Sequence, residues 1–205
     1  MKRTKENAEI TRQFLLKTAM EVFSEKGYAA TRLSDIAEAA AVTRGAIYHH
    51  FGNKKELFIC LFREKFDTFF DIMTGILSEN ISPVERLKKI LLVTFEKFIT
   101  DKDFKAQYQL DIIGSSYEEE VPEIKEYMIN RGEKLYKMIV QLINSGILNN
   151  EIRKDVAPNA IADTFVALLA GFKFVAHTAE DIHNFSLQID GIVNVFMNGV
   201  VAKRN

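Results

Sequence analysis

The sequence predicts an all-α protein of about nine helices, in which an N-terminal three-helix domain precedes a larger helical bundle. Apolar residues recur every three or four positions along most of the 205-residue chain. No stretch alternates with a period of two for long enough to predict a strand. All three prolines stand near predicted helix starts, where proline is well tolerated. We place the boundary between the two domains, 1–54 and 55–205, at the start of the fourth helix.

The first domain is expected to contain one longer helix and two short ones. Gly27 is placed to end the first helix, because glycine readily adopts the left-handed conformation that follows many helices. The second helix can begin at Thr31 or Ser34, and the third begins at Thr43, all residue types that cap helix N-termini. The first helix carries its apolar side chains at helical spacing: Ile10, Phe14, Leu15, Ala19, Val22 and Phe23.

The second domain is predicted to consist of longer helices in succession. An Asn-to-Glu pair at residues 53–56 marks the start of a helix of about twenty residues. The sequence Ser-Pro-Val-Glu at 82–85 marks the next, since it combines an N-cap residue, a proline and a capping glutamate. A shorter helix follows at about 104–113, Pro122 and Pro158 open two more, and a final apolar helix completes the bundle.

Positive charge is concentrated at the N-terminus. Residues 1–55 contain ten Lys or Arg against six Asp or Glu, whereas residues 56–205 contain seventeen against twenty-two. The net charges of +4 and −5 sum to −1, so a chain with almost no net charge contains a basic N-terminal domain. This asymmetry is typical of a protein whose N-terminal domain meets a polyanion.

The sequence does not support several classes of protein. There is no Gly-rich phosphate loop and no nucleophile elbow, so we expect neither an enzyme nor a bound cofactor. His49 and His50 are adjacent and would project about 100° apart on a helix, so we expect no metal site there. Cys60 is the only cysteine, and we see no signal segment or bilayer-spanning apolar run. We therefore expect a cytoplasmic protein.

Residues 32–51 predict a helix-turn-helix motif. Two short amphipathic helices meet there through a tight turn and lead into a longer third helix. In such motifs the N-terminal part of the second helix contacts base edges in the major groove. The inward positions are apolar, and the outward positions of the second helix carry small side chains and hydrogen-bond donors. The outward residues are Arg44, Gly45, Ala46, Tyr48, His49 and His50.

Over residues 10–60 the chain resembles the tetracycline-repressor (TetR) family of bacterial transcription regulators. The resemblance rests on Phe14, Ala19, Phe23, Gly27, Tyr28, Thr31, Ile36, Ala37, the run Val42-Thr43-Arg44-Gly45-Ala46-Ile47-Tyr48-His49-His50-Phe51, and Asn53, Lys54, Glu56 and Leu57. Within the family, the Thr-Arg-Gly-Ala-Ile-Tyr run looks most like the AcrR-type branch, which often controls multidrug efflux pumps.

Two positions depart from the family pattern. Ala41 stands in the turn where the family usually has glycine, and if that position needs a positive φ, alanine strains the turn by about 1 kcal/mol. His49 stands where AcrR-type proteins often have tryptophan. Any base or sugar contact that the tryptophan makes is therefore in doubt for this chain.

The motif and the resemblance together assign roles to individual residues. Arg44 is the best candidate for recognising guanine, and Ala46 could contact a thymine methyl group. The resemblance implies phosphate contacts for Thr43, Tyr48 and His49. Lys54 is expected to bind phosphate, because its charge lies at a helix N-terminus. The full predicted DNA-binding set is Thr31, Arg32, Thr43, Arg44, Gly45, Ala46, Tyr48, His49 and Lys54.

The resemblance also implies an effector cavity and a dimer interface in the second domain. Aromatic residues predicted to line the cavity suit a hydrophobic or aromatic effector: Phe62, Phe66, Phe69, Phe98, Phe104 and Tyr108, with Asp111 among the polar candidates. The last two helices carry more apolar positions than one bundle face requires. The predicted dimer contacts are Phe165, Leu168, Leu169, Phe172, Ile192, Val193 and Phe196.

The function expected from these features is a dimeric repressor that an effector releases from a palindromic operator. A two-fold dimer would present its reading helices roughly 34 to 36 Å apart, which is one turn of DNA. Two alternatives remain open at this point. One is a DNA-bound regulator without a small-molecule effector, and the other is an all-α carrier of hydrophobic ligands.

Overall fold

Eight α-helices make up the computed structural model, which describes residues 2–102, 104, 121–178 and 187–202. In chain order they are α1 (Lys2–Lys26), α2 (Leu33–Ala39), α3 (Arg44–Phe51), α4 (Lys54–Leu77), α5 (Pro83–Thr100), α6 (Pro122–Leu148), α7 (Pro158–Thr178) and α8 (Ile189–Val200). Outside the helices, the described residues include a single antiparallel bridge between Ile152 and Val201. The all-α prediction is confirmed, while all but Phe104 of the helix predicted at 104–113 lies outside the described residues.

The chain divides into two compact units. The first unit comprises residues 1–67 together with 106–128, and the second comprises 68–105 together with 129–205. The boundary that we predict between residues 54 and 55 lies at the start of α4, inside the first unit. The functional boundary at that position stays a prediction.

An aromatic cluster holds the first unit together. Phe58 contacts Phe23 edge-on at a centroid distance of 5.0 Å and Tyr28 at 4.7 Å. Around this cluster, side chains from α1 to α4 are fully buried, and Val121 and Ile124 are buried with them. Burial of so many large apolar side chains from four helices gives the short helices α2 and α3 a stability that they would lack alone.

Helix α5 lies in the core of the second unit. Its N-terminus has the predicted capping box, since Ser82 Oγ accepts from the Glu85 amide at 3.2 Å and the Glu85 carboxylate accepts from the Ser82 amide at 2.9 Å. Phe95, fully buried in α5, stacks on Phe172 of α7 with ring centroids 3.6 Å apart. These contacts fix α5 against the face of α7 that points into the unit.

Two features typical of other classes of protein, a membrane-spanning helix and a metal-binding group, are not found among the described residues. None of the helices is both long enough and apolar enough to cross a bilayer. In the same part of the chain, no three His, Cys, Asp or Glu side chains come together in a group able to hold a metal ion.

Candidate nucleic-acid interface

Helix α3 is fixed to the first unit by its inner face and capped at its start. Ile47 is completely buried, and Phe51 is 6% exposed. Thr43 is the N-cap, and its Oγ1 accepts a hydrogen bond from the Ala46 amide at 3.2 Å. This is the cap predicted from the sequence, because threonine satisfies an amide that has no partner within the helix. The remaining faces of α3 are free to meet a ligand.

The turn between α2 and α3 has the left-handed geometry that favours glycine. Ala41 has a φ of 53°. Its amide donates to the Glu38 carbonyl at 3.1 Å, and the Val42 amide donates to the Ala37 carbonyl at 2.9 Å. This pattern closes a helix C-terminus with a left-handed residue one position beyond the cap. The position therefore does require positive φ, and alanine there costs about 1 kcal/mol relative to glycine.

The outward face of α3 combines exposed donors with a small central residue. Arg44, Gly45 and His49 are exposed, Tyr48 is 54% exposed, and Ala46 is half-buried. A Cβ added at Gly45 would come no closer than 3.7 Å to the Thr43 hydroxyl. The fold therefore does not require glycine at this position. The absence of a side chain matters only to whatever approaches the helix from outside.

The start of α2 differs from the prediction in two respects. Thr31 is 1% exposed, and its hydroxyl donates to the Gly27 carbonyl at 2.6 Å, so its side chain faces the core rather than DNA. Neither Thr31 nor Ser34 caps α2, since the N-cap is Arg32. Asp35 instead accepts from the Arg32 amide at 2.8 Å, and Lys26 lies 3.4 Å from the same carboxylate.

This arrangement changes the acidity of Asp35. The Arg32 amide, and to a smaller extent Lys26, hold the pKa of the Asp35 carboxyl below its ordinary value of 3.8. The exposed Arg32 side chain stays a candidate for DNA contact, because only its backbone is used by the cap.

Lys54 makes contacts that the sequence did not predict. Its ammonium donates to the carbonyls of Tyr28 at 2.9 Å and Thr31 at 3.0 Å, and lies 3.4 Å from the Ala29 carbonyl. It also lies 4.2 Å from the centroid of the Tyr28 ring. An ammonium has three protons, and three carbonyls take them here. The predicted phosphate contact through this side chain is therefore not what the structure shows.

The aromatic residues predicted to line an effector cavity make ring contacts within each of the two units. In the first unit, Phe62 stacks on Phe66 at 5.9 Å, and Phe66 contacts Tyr127 at 6.0 Å. In the second unit, Phe104 contacts Phe69 at 5.6 Å and Phe98 at 5.5 Å. The other predicted residues, Tyr108 and Asp111, lie outside the described residues.

Most of the predicted dimer contacts are core residues of the second unit. Five of the seven are at most 8% exposed, namely Phe165, Leu169, Phe172, Val193 and Phe196. Leu168 and Ile192 are half-buried. Burial inside one chain argues against Phe165, Leu169, Phe172 and Val193 as interface residues. Leu168, Ile192 and Phe196 line a groove between α7 and α8 and stay candidates.

The exposed apolar residues of α7 and α8 are ones that the sequence analysis missed. Val166 and Phe174 of α7 are 40% and 60% exposed, and Val195 of α8 is 77% exposed. Between the two helices runs an open groove of about 550 Å³. It is lined by Thr164, Leu168, Gln188, Gly191, Ile192, Val195 and Phe196. The signal that could have found this surface is the spacing of Val166 and Phe174, eight residues apart on one helix face.

A short helix held by a tight turn, with its donors facing solvent, defines a helix-turn-helix DNA-binding protein. Over residues 15–60 the chain matches the family model of the bacterial regulatory proteins, tetR family. It is 40% identical over 102 residues to the HTH-type transcriptional regulator TtgR of Pseudomonas putida, and the match spans about half of each chain, 49%.

Two further likenesses cover more of the chain. It is 30% identical over 147 residues to the HTH-type transcriptional repressor KstR2 of Mycobacterium tuberculosis, 69% of each chain. Its fold matches the crystal structure of NalD, the secondary repressor of the MexAB-OprM multidrug efflux pump in Pseudomonas aeruginosa, with a TM-score of 0.77 at 23% identity. That match covers 96% of this chain and 100% of NalD.

The chain therefore belongs to the TetR family of bacterial transcriptional regulators, as its resemblance over residues 10–60 predicts. The relatives named above are regulators and repressors of transcription. Membership in this family agrees with the expectation that the protein is not an enzyme.

Proposed function

We propose that this protein is a dimeric transcriptional repressor that binds a palindromic operator and leaves it when a small hydrophobic or aromatic molecule binds. The exposed, capped N-terminal half of α3 is the observation that carries the proposal. Such a repressor acts on the chromosome, which places its work in the cytoplasm. Arg44 contacts a guanine, and Ala46 a thymine methyl group. Thr43, Tyr48 and His49 contact phosphates, which fixes the register of the helix in the groove.

The DNA-binding part of the proposal is tested with the duplex that precedes the protein's own gene. Binding is measured by fluorescence anisotropy over a range of salt concentrations, because phosphate contacts make affinity fall steeply with salt. Arg44→Ala should weaken binding by about 1 to 3 kcal/mol, as expected for the loss of a bidentate base contact. Lys88→Ala is the matched control, since it removes one exposed positive charge from α5. Equal losses in both variants would contradict a specific role for Arg44.

The exposed apolar surface of α7 and α8 supports the dimer. Leu168, Ile192, Val195 and Phe196 line the groove between α7 and α8 and form an apolar patch there, and Val195 is 77% exposed. Val166 and Phe174 of α7 are also exposed, and a soluble monomer would rarely leave so much apolar surface in water. Isologous pairing of this patch across a two-fold axis would bury it. The groove between α7 and α8 and the exposed Gly171, where nothing lies within 4 Å of an added Cβ, leave room for a close approach.

Sedimentation velocity tests this assignment. Val195→Asp places a charge on the patch and should produce a monomer, because burying an unpaired carboxylate at an interface is costly. Leu148→Asp is the control, as Leu148 is 82% exposed at the end of α6. The control should remain dimeric. A dimer that survives Val195→Asp, Phe174→Asp and the double variant does not use this face.

The proposed effector is a small hydrophobic or aromatic molecule. The two aromatic clusters, Phe62 with Phe66 and Phe69 with Phe98 and Phe104, suit a hydrophobic or aromatic molecule. NalD is a repressor of a multidrug efflux pump, and control of an efflux system is proposed for this chain on the same grounds. Release of the operator duplex by aromatic efflux substrates, together with a pump gene beside this one, would support it.

Two experimental outcomes would indicate a different function. Strong binding of hydrophobic compounds without selection of any palindrome from a random DNA pool would indicate a ligand carrier. Selection of a palindrome that no hydrophobic compound displaces would indicate a regulator without a small-molecule effector. Each experiment uses the full-length protein, so the two results can be compared directly.

A further inference from the structure

A small pocket in the second unit is lined on one side by apolar groups and on the other by polar ones. Its volume is about 240 Å³. Leu77 at the end of α4, with Met138 and Leu142 of α6, forms the apolar side. The polar lining is Arg86 of α5 with Gln141 and Ser145, which stand one helical turn apart on α6.

One donor of the half-buried Arg86 side chain has no partner among the described residues. Its Nε is shielded from solvent and has no hydrogen-bond partner within the described part of the chain. A buried donor of a charged group that is left unpaired is costly, so most such groups are satisfied. The guanidinium thus has hydrogen-bonding capacity that the surrounding protein does not use.

Two carboxylates close to Arg86 along the chain, and a third that bonds the amide of Val84, have partners other than Arg86. Glu85 accepts from the Ser82 amide in the capping box, and Glu79 pairs with Lys89 at 2.6 Å. Glu151 accepts from the Val84 amide at 3.5 Å. None of them accepts from the Arg86 Nε, which has no partner among the described residues.

We propose that this pocket binds a compact amphipathic carboxylate, with the carboxylate on Arg86 and the apolar body against Leu77, Met138 and Leu142. A guanidinium presents a planar set of donors that matches a carboxylate in two parallel hydrogen bonds. Gln141 and Ser145 offer further donors to the same group. The volume lies below the usual range of about 300 to 1,000 Å³ for drug-sized ligands, which favours a small molecule.

None of the residues that line this pocket is among the aromatic residues assigned to the hydrophobic effector, and the inference does not depend on DNA binding. It is tested on the full-length protein without DNA, using benzoate as the probe and benzamide as its neutral counterpart. The methyl resonance of ¹³C-labelled Met138, assigned with Met138→Leu, reports occupancy of the pocket. Benzoate should shift this resonance saturably, and benzamide should bind about tenfold more weakly or not at all, since it lacks the charge.

Variants then identify the group that binds the anion. Arg86→Gln should lower benzoate affinity about tenfold or more, because it removes a charge-assisted contact. Lys88→Gln, which removes the same charge from an exposed position on α5, should leave the affinity unchanged. Equal binding of benzamide and benzoate to the unmodified protein, or full benzoate affinity in a folded Arg86→Gln variant, would overturn the proposal. The comparison of the two probes needs no variant, so it holds even if Arg86→Gln fails to fold.

Discussion

The Lys54 ammonium lies above the Tyr28 ring, 4.2 Å from its centroid, and donates to the carbonyl of the same tyrosine at 2.9 Å. Cation–π attraction and a charge-assisted hydrogen bond thus act between one pair of residues. The contact joins the start of α4 to the loop between α1 and α2. That loop leads directly into the DNA-binding motif, so Lys54 positions the motif from within the fold.

Replacement of Lys54 should therefore change stability more than it changes electrostatics toward DNA. We expect Lys54→Met to lower the free energy of unfolding by about 2 to 3 kcal/mol, because buried carbonyls lose a charged donor. In anisotropy titrations the slope of log affinity against log salt should stay as in the unmodified protein. A fall of about 1.8 in the magnitude of that slope, about 0.9 for each subunit of the dimer, would instead identify Lys54 as a phosphate contact.

Ala41 offers a way to stabilise the motif. Its φ of 53° suits glycine, so Ala41→Gly should raise the free energy of unfolding by about 1 kcal/mol in urea titrations. Ala39→Gly, at an exposed helical position two residues earlier, should lower it. If both substitutions destabilise the protein, the turn does not have the left-handed geometry described here.

Substitution of Gly45 should affect DNA binding without affecting folding. Gly45→Ala should leave the melting temperature unchanged or raise it, because a helix favours alanine and the added Cβ meets nothing closer than 3.7 Å. Binding to the operator should weaken, since the new methyl group stands on the face that approaches the bases. Gly75→Ala in α4 also has room for its Cβ and serves as the control. A Gly45→Ala protein that binds as tightly as the control would show that the helix does not need this close approach.

Asp35 should contribute a pH-dependent part of the stability. The folded pKa lies below the ordinary value of 3.8, so the charged form is favoured by folding and its contribution is present above that value. It is lost as the pH falls through the lowered folded pKa. Asp35→Asn should therefore melt at a lower temperature than the unmodified protein at pH 7, and the difference should shrink at about pH 3 and below.

Circular dichroism melts at the two pH values measure this effect. Glu38→Gln removes the same charge from an exposed position of α2 and controls for the change in net charge. A difference between Asp35→Asn and the unmodified protein that stays constant with pH would show that the effect is not electrostatic.

Local signals explain which elements could be predicted. The caps at Thr43 and Ser82 were foreseen because each depends on residues within one turn of the helix start. The contacts of Lys54 could not be predicted, since its partners are distant along the chain. The Thr31 hydroxyl has a local partner, but its burial depends on how the first unit packs. Thr31 bonds a carbonyl at the end of α1, and the Lys54 ammonium reaches back 23 to 26 residues along the chain.

The dimer surface was misjudged for a different reason. Helix α7 is apolar on more than one side, so periodicity alone gives no way to decide which side faces its own core. Phe172 was assigned to the interface but stacks on Phe95, whereas Phe174, two positions later, is 60% exposed. The distinction depends on the position of α5, which no pattern within α7 encodes.

The burial of Val121 and Ile124 with the core of the first unit has a practical consequence for chimeric regulators. A hybrid made by joining residues 1–67 to a foreign sensor domain would keep the buried side chains of α4 but omit both of these. The transplanted DNA-binding domain would then have a gap in its apolar core, and it should aggregate or bind its operator weakly. A graft that also brings this chain's residues 121–128 into the recipient should restore a complete core.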